Sequence, residues 1–348
     1  HAVEGGLVHC VGTMAATPFP EEEISSWGPD IFEVSRATNG NAVVAVGMEL
    51  FKLHGILRRF GIADACMRAY LQEINDLYLC SNPYHNSIHG ADVAQNVNFF
   101  LSDQCLSQHL SKLEIFGLIL AALVHDCGHP GYTNNFLVTT RHELAIRYND
   151  HSVLENFHIA TAVQVALLSE ERNIFQNLEE EEYRELRAIL IELVLATDFS
   201  RHKELVESCQ GTVANAEPSS AEYRRALMVL ALKCADVSHT AKNMQMHVEW
   251  TARVTLEFFF QGNREREQGL PFSFGMDAAS TNVRGSQVGF VEGMLLPLFE
   301  YWAGLFPKFQ VCVDHLRDNV SQWRTGKYDG VTDLLRDLSK REKAETYL

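Results

Sequence analysis

Apolar residues in this chain recur at three- and four-residue intervals over segment after segment, and that period suits helices and little else. Residues 63–80 carry Cys66, Met67, Tyr70, Leu71, Ile74, Leu77 and Tyr78 at these spacings. Similar patterns run through 86–101, 112–124, 152–169, 183–196, 221–237, 249–261 and 287–306. Period-two alternation, the mark of a half-buried strand, is almost absent. The nearest approach is 43–46, too short to found a sheet. Only 9 prolines punctuate the 348 residues, so long helices meet few interruptions. The expected fold class is all-α.

Between the periodic segments lie a few connectors. The stretch to about Ser35 is weakly patterned, and Thr17-Pro18-Phe19-Pro20 and Trp27-Gly28-Pro29-Asp30 read as loop and turn. Residues 211–220 read as a small polar connector and 262–285 as a longer one, the kind of loop that often carries function. The acidic run 179–182 reads as an exposed helix N-terminus favoured by the macrodipole. The expected organisation is a lead-in over 1–39, one catalytic domain over 40–330 and a helical or frayed tail over 331–348.

Charge narrows the partners. Lys plus Arg is 29 and Asp plus Glu is 45, a net charge of −16. Such a balance excludes a general nucleic-acid-binding surface, which needs a basic stripe. It permits an anionic substrate, because bound metal ions reverse the local field. The eight cysteines (Cys10, Cys66, Cys80, Cys105, Cys127, Cys209, Cys234 and Cys312) form no Cys-x-x-Cys pair and read as free thiols of a reducing compartment. The longest apolar run, 115–124, is too short to span a bilayer, and no signal pattern opens the chain. A first residue of His1 rather than Met suggests a piece of a longer polypeptide with flanking domains. The expected setting is cytoplasmic, with no membrane span in this segment.

Three segments can carry chemistry. Tyr84-His85-Asn86-Ser87-Ile88-His89 places two histidines four apart, which on a helix face the same way. His125-Asp126-Cys127-Gly128-His129-Pro130-Gly131 follows directly on an apolar helix that would deliver polar ligands to an interior cavity. Ala235-Asp236 ends another apolar helix. Taken singly, each has a plain explanation in packing or turn formation. Together they supply imidazole and carboxylate ligands suited to a borderline-to-hard divalent metal.

The order His … His-Asp … Asp is that of the HD metal-dependent phosphohydrolases. The fuller set, with Ser152-Val153-Leu154-Glu155-Asn156, Ala196-Thr197-Asp198 and Ser286-Gln287-Val288-Gly289-Phe290, resembles the class I cyclic nucleotide phosphodiesterase catalytic domain. The similarity extends from about Gly40 to Trp323. It implies that His89, His125, Asp126 and Asp236 coordinate one ion, usually zinc. Asp126 would bridge to a second, usually magnesium or manganese, held largely through water. His129, Asn134, Glu155 and Thr197 would stand behind those waters. Ser152-x-x-Glu155 is equally a capping box, which leaves two readings of Glu155. The resemblance further makes His85 the general acid and Glu257 the residue that orients it. Gln287 would hold the purine edge and Phe290 its face, with Val254 opposite; Tyr84, His239 and Trp250 complete the pocket. Phe290 and Val254 fit a simple core reading equally well by period.

The implied reaction is hydrolysis of cyclic AMP, and of cyclic GMP, to 5′-monophosphates with two divalent ions, ending a second-messenger signal. Cyclic-AMP-selective relatives carry Asn-Pro where His239-Thr240 stand, and Gly90 replaces a usual Ala. Two other readings stay open. Another HD-type nucleotide phosphohydrolase would lack Ser-Gln-Val-Gly-Phe and, for a triphosphate, would need several Lys or Arg. A non-catalytic nucleotide sensor would have lost a ligand or His85, and metal-dependent release of 5′-nucleotide separates enzyme from sensor.

Overall fold

Every regular element in the computed structural model is helical, over the described residues 21–326 and 330–345. The helix Lys112–Val124 explains the arrangement of the rest. Its residues from Leu113 onward are all buried, so it has no polar face to turn to solvent and must lie at the centre. Ser111 starts it with a capping box: its hydroxyl accepts from Glu114 N at 3.2 Å, and Glu114 accepts from Ser111 N at 2.8 Å. Helices Ala42–Leu53, Ser87–Leu101, Glu180–Leu195 and Ala221–Asp236 pack around it.

Helix Ser87–Leu101 is buried nearly throughout, yet carries Asp92, Gln95, Asn96 and Asn98. Buried amides need partners, and here they take loops. Gln95 Nε2 donates to the carbonyls of Ile24 and Ser26 at 3.0 and 2.8 Å, and Asn98 Nδ2 donates to Ile24 O at 3.0 Å. Part of the supposed loop before Ser35 is therefore helical and docked. Short helices Glu21–Ile24 and Ile31–Ala37 bury Ile24, Ile31, Phe32 and Val34 in the main core. The turn at Trp27–Asp30 stands as read, while Thr17–Pro20 lies outside the described residues.

Several boundaries differ from the periodic reading. Helix His202–Asn215 continues through Gly211, leaving only 216–220 as connector. Helix Met244–Glu267 runs beyond Gly262, so the long loop is 268–282. The segment 287–306 is not one helix. Val283–Phe290 and Leu296–Leu305 are joined by a π-helical turn, Val291–Leu295, just before Pro297, which has no amide to continue a regular ladder. Helix Gly330–Glu345 lays Val331 and Leu338 against Met244, Val248, Ala252 and Leu256.

One ion pair ties two site-bearing segments together. Lys242 Nζ donates to Asp92 Oδ1, and both side chains are buried. Asp92 lies one turn beyond His89, and Lys242 follows the Ser238–Ala241 turn that succeeds Asp236. Asn319 Nδ2 donates to the carbonyls of Thr240 and Lys242, both at 2.8 Å, fixing the same turn. Lys242→Met would leave Asp92 charged, buried and unpaired. The expected loss is about 3–5 kcal/mol of folding stability by urea denaturation. A loss below about 1 kcal/mol would show that the pair does not hold these segments.

Candidate metal centre and its acid

His125 caps the C-terminal end of the central apolar helix, and its Nδ1 donates to Ala122 O at 2.9 Å. With Nδ1 so engaged, Nε2 faces inward. It lies 3.2 Å from His89 Nε2, 3.2 Å from Asp126 Oδ2 and 3.3 Å from Asp236 Oδ1. His89 Nε2 in turn is 3.5 Å from Asp126 Oδ2 and 3.2 Å from Asp236 Oδ1. The structure thus brings all four sequence-predicted ligands to one point, from the C-terminal ends of two helices and the first turn of a third.

Two acceptor oxygens and two imidazole nitrogens cannot crowd together in a buried site without positive charge between them. The titration directions express the same demand. Burial depresses His125, but Asp126 and Asp236 outweigh it and push it well above the ordinary histidine value. Burial raises Asp126 and Asp236, yet the facing histidines bring both below the usual carboxylate range. A divalent cation can take the place of the proton, and this donor set of two imidazoles and two carboxylates fits one.

Asp126 presents its two oxygens to different neighbours. Oδ2 faces His89 and His125, whereas Oδ1 lies 3.7 Å from His158 Nε2. His158 Nδ1 donates to Cys127 O at 2.8 Å, so its neutral ring leaves Nε2 as a bare acceptor, buried and without a hydrogen-bond partner. Burial holds it neutral, with a pKa lowered to about 4. Sequence reasoning missed His158. The available signal was its place three residues beyond Glu155 on the same helix face.

The capping-box reading of Glu155 fails. Ser152 sits in the left-handed region at φ 40° and makes no cap; its hydroxyl donates to Asp198 Oδ2 at 2.7 Å. Glu155 instead accepts from Asn134 Nδ2 at 3.2 and 2.9 Å on its two oxygens, while Asn134 Oδ1 accepts from Leu154 N at 2.9 Å. Burial raises its carboxyl to about 7 against the pull of Asn134. Thr197, past the end of helix Glu180–Leu195, donates its hydroxyl to Val194 O at 2.8 Å. His129 Nδ1 accepts from Gly131 N at 3.0 Å, so the neutral ring carries its proton on Nε2. Burial and the charge of His85 keep it neutral.

His85 is not on the His89 helix, contrary to the spacing argument. Asn86 is the N-cap, accepting from Ile88 N at 3.0 Å, and His85 precedes it. Its position comes from Glu257 instead. Glu257 Oε1 accepts from His85 Nδ1, and Oε2 accepts from the backbone amides of Tyr84 and His85, both at 3.0 Å. The ring stacks on His129 with centroids 3.9 Å apart, and Nε2 lies 3.9 Å from Asp126 Oδ2. His85, His129 and Glu257 could also be taken for a metal cluster. One ring nitrogen of each histidine is already engaged, His85 Nδ1 by Glu257 and His129 Nδ1 by Gly131 N, an arrangement that fits a positioned histidine better than a three-ligand metal site.

Gly90 has a positive reason. A Cβ there would lie 2.7 Å from the Tyr78 hydroxyl, which donates to Leu123 O at 3.1 Å just ahead of His125.

The remaining pocket residues divide. Tyr84 Oη pairs with His239 Nδ1 at 3.1 Å, both rings buried, and burial keeps His239 neutral. Trp250 has no exposed surface and packs behind Tyr84 and His89, with centroids 5.5 and 6.0 Å away. Val254, Gln287 and Phe290 are half-buried, and Phe290 lies 5.7 Å from the ring of Phe199. Gln287 Oε1 is buried without a hydrogen-bond partner.

An all-helical domain with a His/Asp cluster that could hold a metal ion, and a carboxylate-bonded histidine beside it, fits a class of metal-dependent hydrolase. The chain belongs to the 3′,5′-cyclic nucleotide phosphodiesterase family: that family's profile matches residues 84–316. It is 36% identical to the dual specificity calcium/calmodulin-dependent 3′,5′-cyclic nucleotide phosphodiesterase 1C of Rattus norvegicus, across 92% of this chain and 43% of the relative. The chain thus spans less than half the length of that relative. Among the described residues no helix is long and apolar enough to cross a membrane.

Burial alone would lower the pKa of His85, but Glu257 first, then Asp126 and Asp236, raise it to about 9. Glu257→Gln removes the largest of these charges. In an NMR titration of the imidazole in metal-free protein, the midpoint is expected to fall from about 9 to the ordinary 6.5 or below. An unchanged midpoint would mean that Glu257 does not hold the proton.

Proposed function

We propose that this domain hydrolyses 3′,5′-cyclic nucleotides to nucleoside 5′-monophosphates, with a catalytic domain over 40–330 in a cytoplasmic protein. The observation that carries this is the placement of His85, bonded to Glu257 through Nδ1, with Nε2 free at 3.9 Å from an oxygen of the metal-ligand set. His89, His125, Asp126 and Asp236 would hold zinc. Asp126 Oδ1, on the side of His158, would face magnesium or manganese. When bound, two such ions place positive charge on phosphate oxygens and activate a water. The chain supplies the rest. His129 offers a proton from Nε2, His158 and Glu155 offer acceptors, and Asn134 holds Glu155 in place. His85 delivers a proton from Nε2 to the departing 3′-oxygen, and Glu257 keeps that proton in supply at neutral pH. Among the described residues the cysteines form no bridges, which supports a reducing compartment. The greater length of the rat relative supports domains flanking this one.

General acid catalysis of this kind contributes on the order of 10²–10⁴-fold. His85→Ala is expected to lose about that factor with metal content unchanged, and a substrate with a better leaving group should recover most of it. Equal loss on both substrates would remove His85 from the role.

Base choice turns on Gln287, with Phe290 and Val254 about the purine ring and Tyr84 and His239 as the wall; Trp250, with no exposed surface, backs Tyr84 instead of lining the pocket. An amide presents either its carbonyl or its NH₂ to a purine edge, depending on rotation. Adenine and guanine demand opposite faces. The Gln287 carbonyl has no partner to fix its orientation, and the rat relative is named for dual specificity. Both nucleotides are therefore substrates. Metal-dependent release of 5′-AMP and 5′-GMP, measured side by side, should give kcat/KM values within roughly tenfold, or about 1.4 kcal/mol. No release with any divalent metal would refute the activity. A preference above about a hundredfold would refute the free amide.

A further inference from the structure

Helix Met244–Glu267 carries a stripe of buried polar side chains one turn apart: Glu257, Gln261 and Glu265. Only the first belongs to the acid. Gln261 Oε1 accepts from Thr133 N at 2.8 Å, and its Nε2 donates to Thr133 Oγ1 at 3.2 Å and to Glu265 Oε1 at 2.9 Å. Glu265 also accepts from Ser273, from the hydroxyl at 2.6 Å on Oε1 and from the amide at 2.9 Å on Oε2. The loop bearing Ser273 is seated on the same helix. A Cβ at Gly262 would fall 1.9 Å from Met276 O, so only glycine lets the loop backbone cross there.

At its other end the chain of bonds reaches the metal centre. Thr133 is the N-cap of helix Asn134–Thr139, accepting from Phe136 N at 3.3 Å, and Asn134 is the residue that holds Glu155. A buried carboxylate and a buried amide that satisfy each other and both flanking loops form a closed network. Breaking one member leaves others unpaired. We propose that Gln261 and Glu265 are positioning residues for the second-ion side of the centre. They hold Thr133, and through it Asn134 and Glu155, in register with the loop 268–282. Occupancy of the second ion is thereby coupled to the seating of a loop that contributes no ligand. This rests on the two-ion reading given above.

The test is Mn²⁺ binding to the zinc-loaded protein, followed by electron paramagnetic resonance without substrate. Glu265→Gln puts an NH₂ group against either Ser273 or the Gln261 amide. It is expected to weaken Mn²⁺ binding roughly tenfold, the scale of outer-shell changes at metal sites, with zinc content retained. Ser273→Ala removes only the hydroxyl bond and should weaken it by a smaller factor. This variant carries the test if Glu265→Gln does not fold. The exchange Gln261→Glu with Glu265→Gln restores complementarity. The carboxylate moved to position 261 accepts from Thr133 and from the amide at 265, whose carbonyl accepts from Ser273, so most of the affinity should return. A purely structural role would reduce the folded fraction and leave the Mn²⁺ affinity of the remainder unchanged. That result, or an exchange variant no better than the single one, overturns the proposal. If the wild-type protein binds no Mn²⁺ beside its zinc, the two-ion reading itself fails, an outcome distinct from normal binding by the variants.

Discussion

The domain is arranged around a place where four candidate ligand atoms meet at 3.2–3.5 Å, with both imidazoles buried and both carboxylates only partly exposed. Such a cluster is electrostatically intolerable without a positive charge at its middle. The fold meets that condition with rigid carriers. His125 is the cap of a helix with no solvent face, Asp236 is the last residue of another buried helix, and His89 is in the first turn of a third. Hydrophobic burial thus supplies the stiffness on which ligand geometry depends. The Lys242–Asp92 pair, itself fully desolvated, locks two of the three carriers together. Buried pairs of this kind contribute little net stability compared with apolar packing, but losing one partner is costly, so they favour a single arrangement.

Around the centre, proton positions follow from backbone contacts. Ala122 O and Cys127 O take the Nδ1 protons of His125 and His158, and Gly131 N gives a hydrogen bond to His129 Nδ1. Three neighbouring histidines therefore present different faces: one a candidate ligand nitrogen, one a bare acceptor, one a donor. His85 differs from all three because Glu257 charges it. One helix, Met244–Glu267, then relates the acid to the pocket and to the loops, with Val254, Glu257, Gln261 and Glu265 on successive turns.

Much of this was legible in the sequence, for physical reasons that also mark where legibility ends. Long apolar periods identify buried helices, and His125-Asp126 directly after such a helix reads as a delivered ligand pair. The four candidate ligands could be picked out because a metal would constrain both residue identity and order, and the fold brings these four together. What stayed hidden depends on contacts distant in sequence. The four-residue spacing of His85 and His89 suggested one helix face, yet Asn86 intervenes as a cap, and Glu257 from far along the chain sets the acid. Ser152-x-x-Glu155 matched a capping box, but Asn134 and Asp198 claim its side chains. His158 looked like one more residue in an apolar helix; its orphaned nitrogen appears only once Asp126 is folded against it. The helices before Ser35 escaped notice because their burial depends on Gln95 and Asn98, some seventy residues away.

The claim that these four residues enclose an ion is open to direct observation by anomalous diffraction at the zinc absorption edge. The expected result is a single strong peak bonded to His89 Nε2, His125 Nε2, Asp126 Oδ2 and Asp236 Oδ1, at about 2.0–2.2 Å from each. A peak held by His85, His129 and Glu257, or no peak in active protein, would contradict the account.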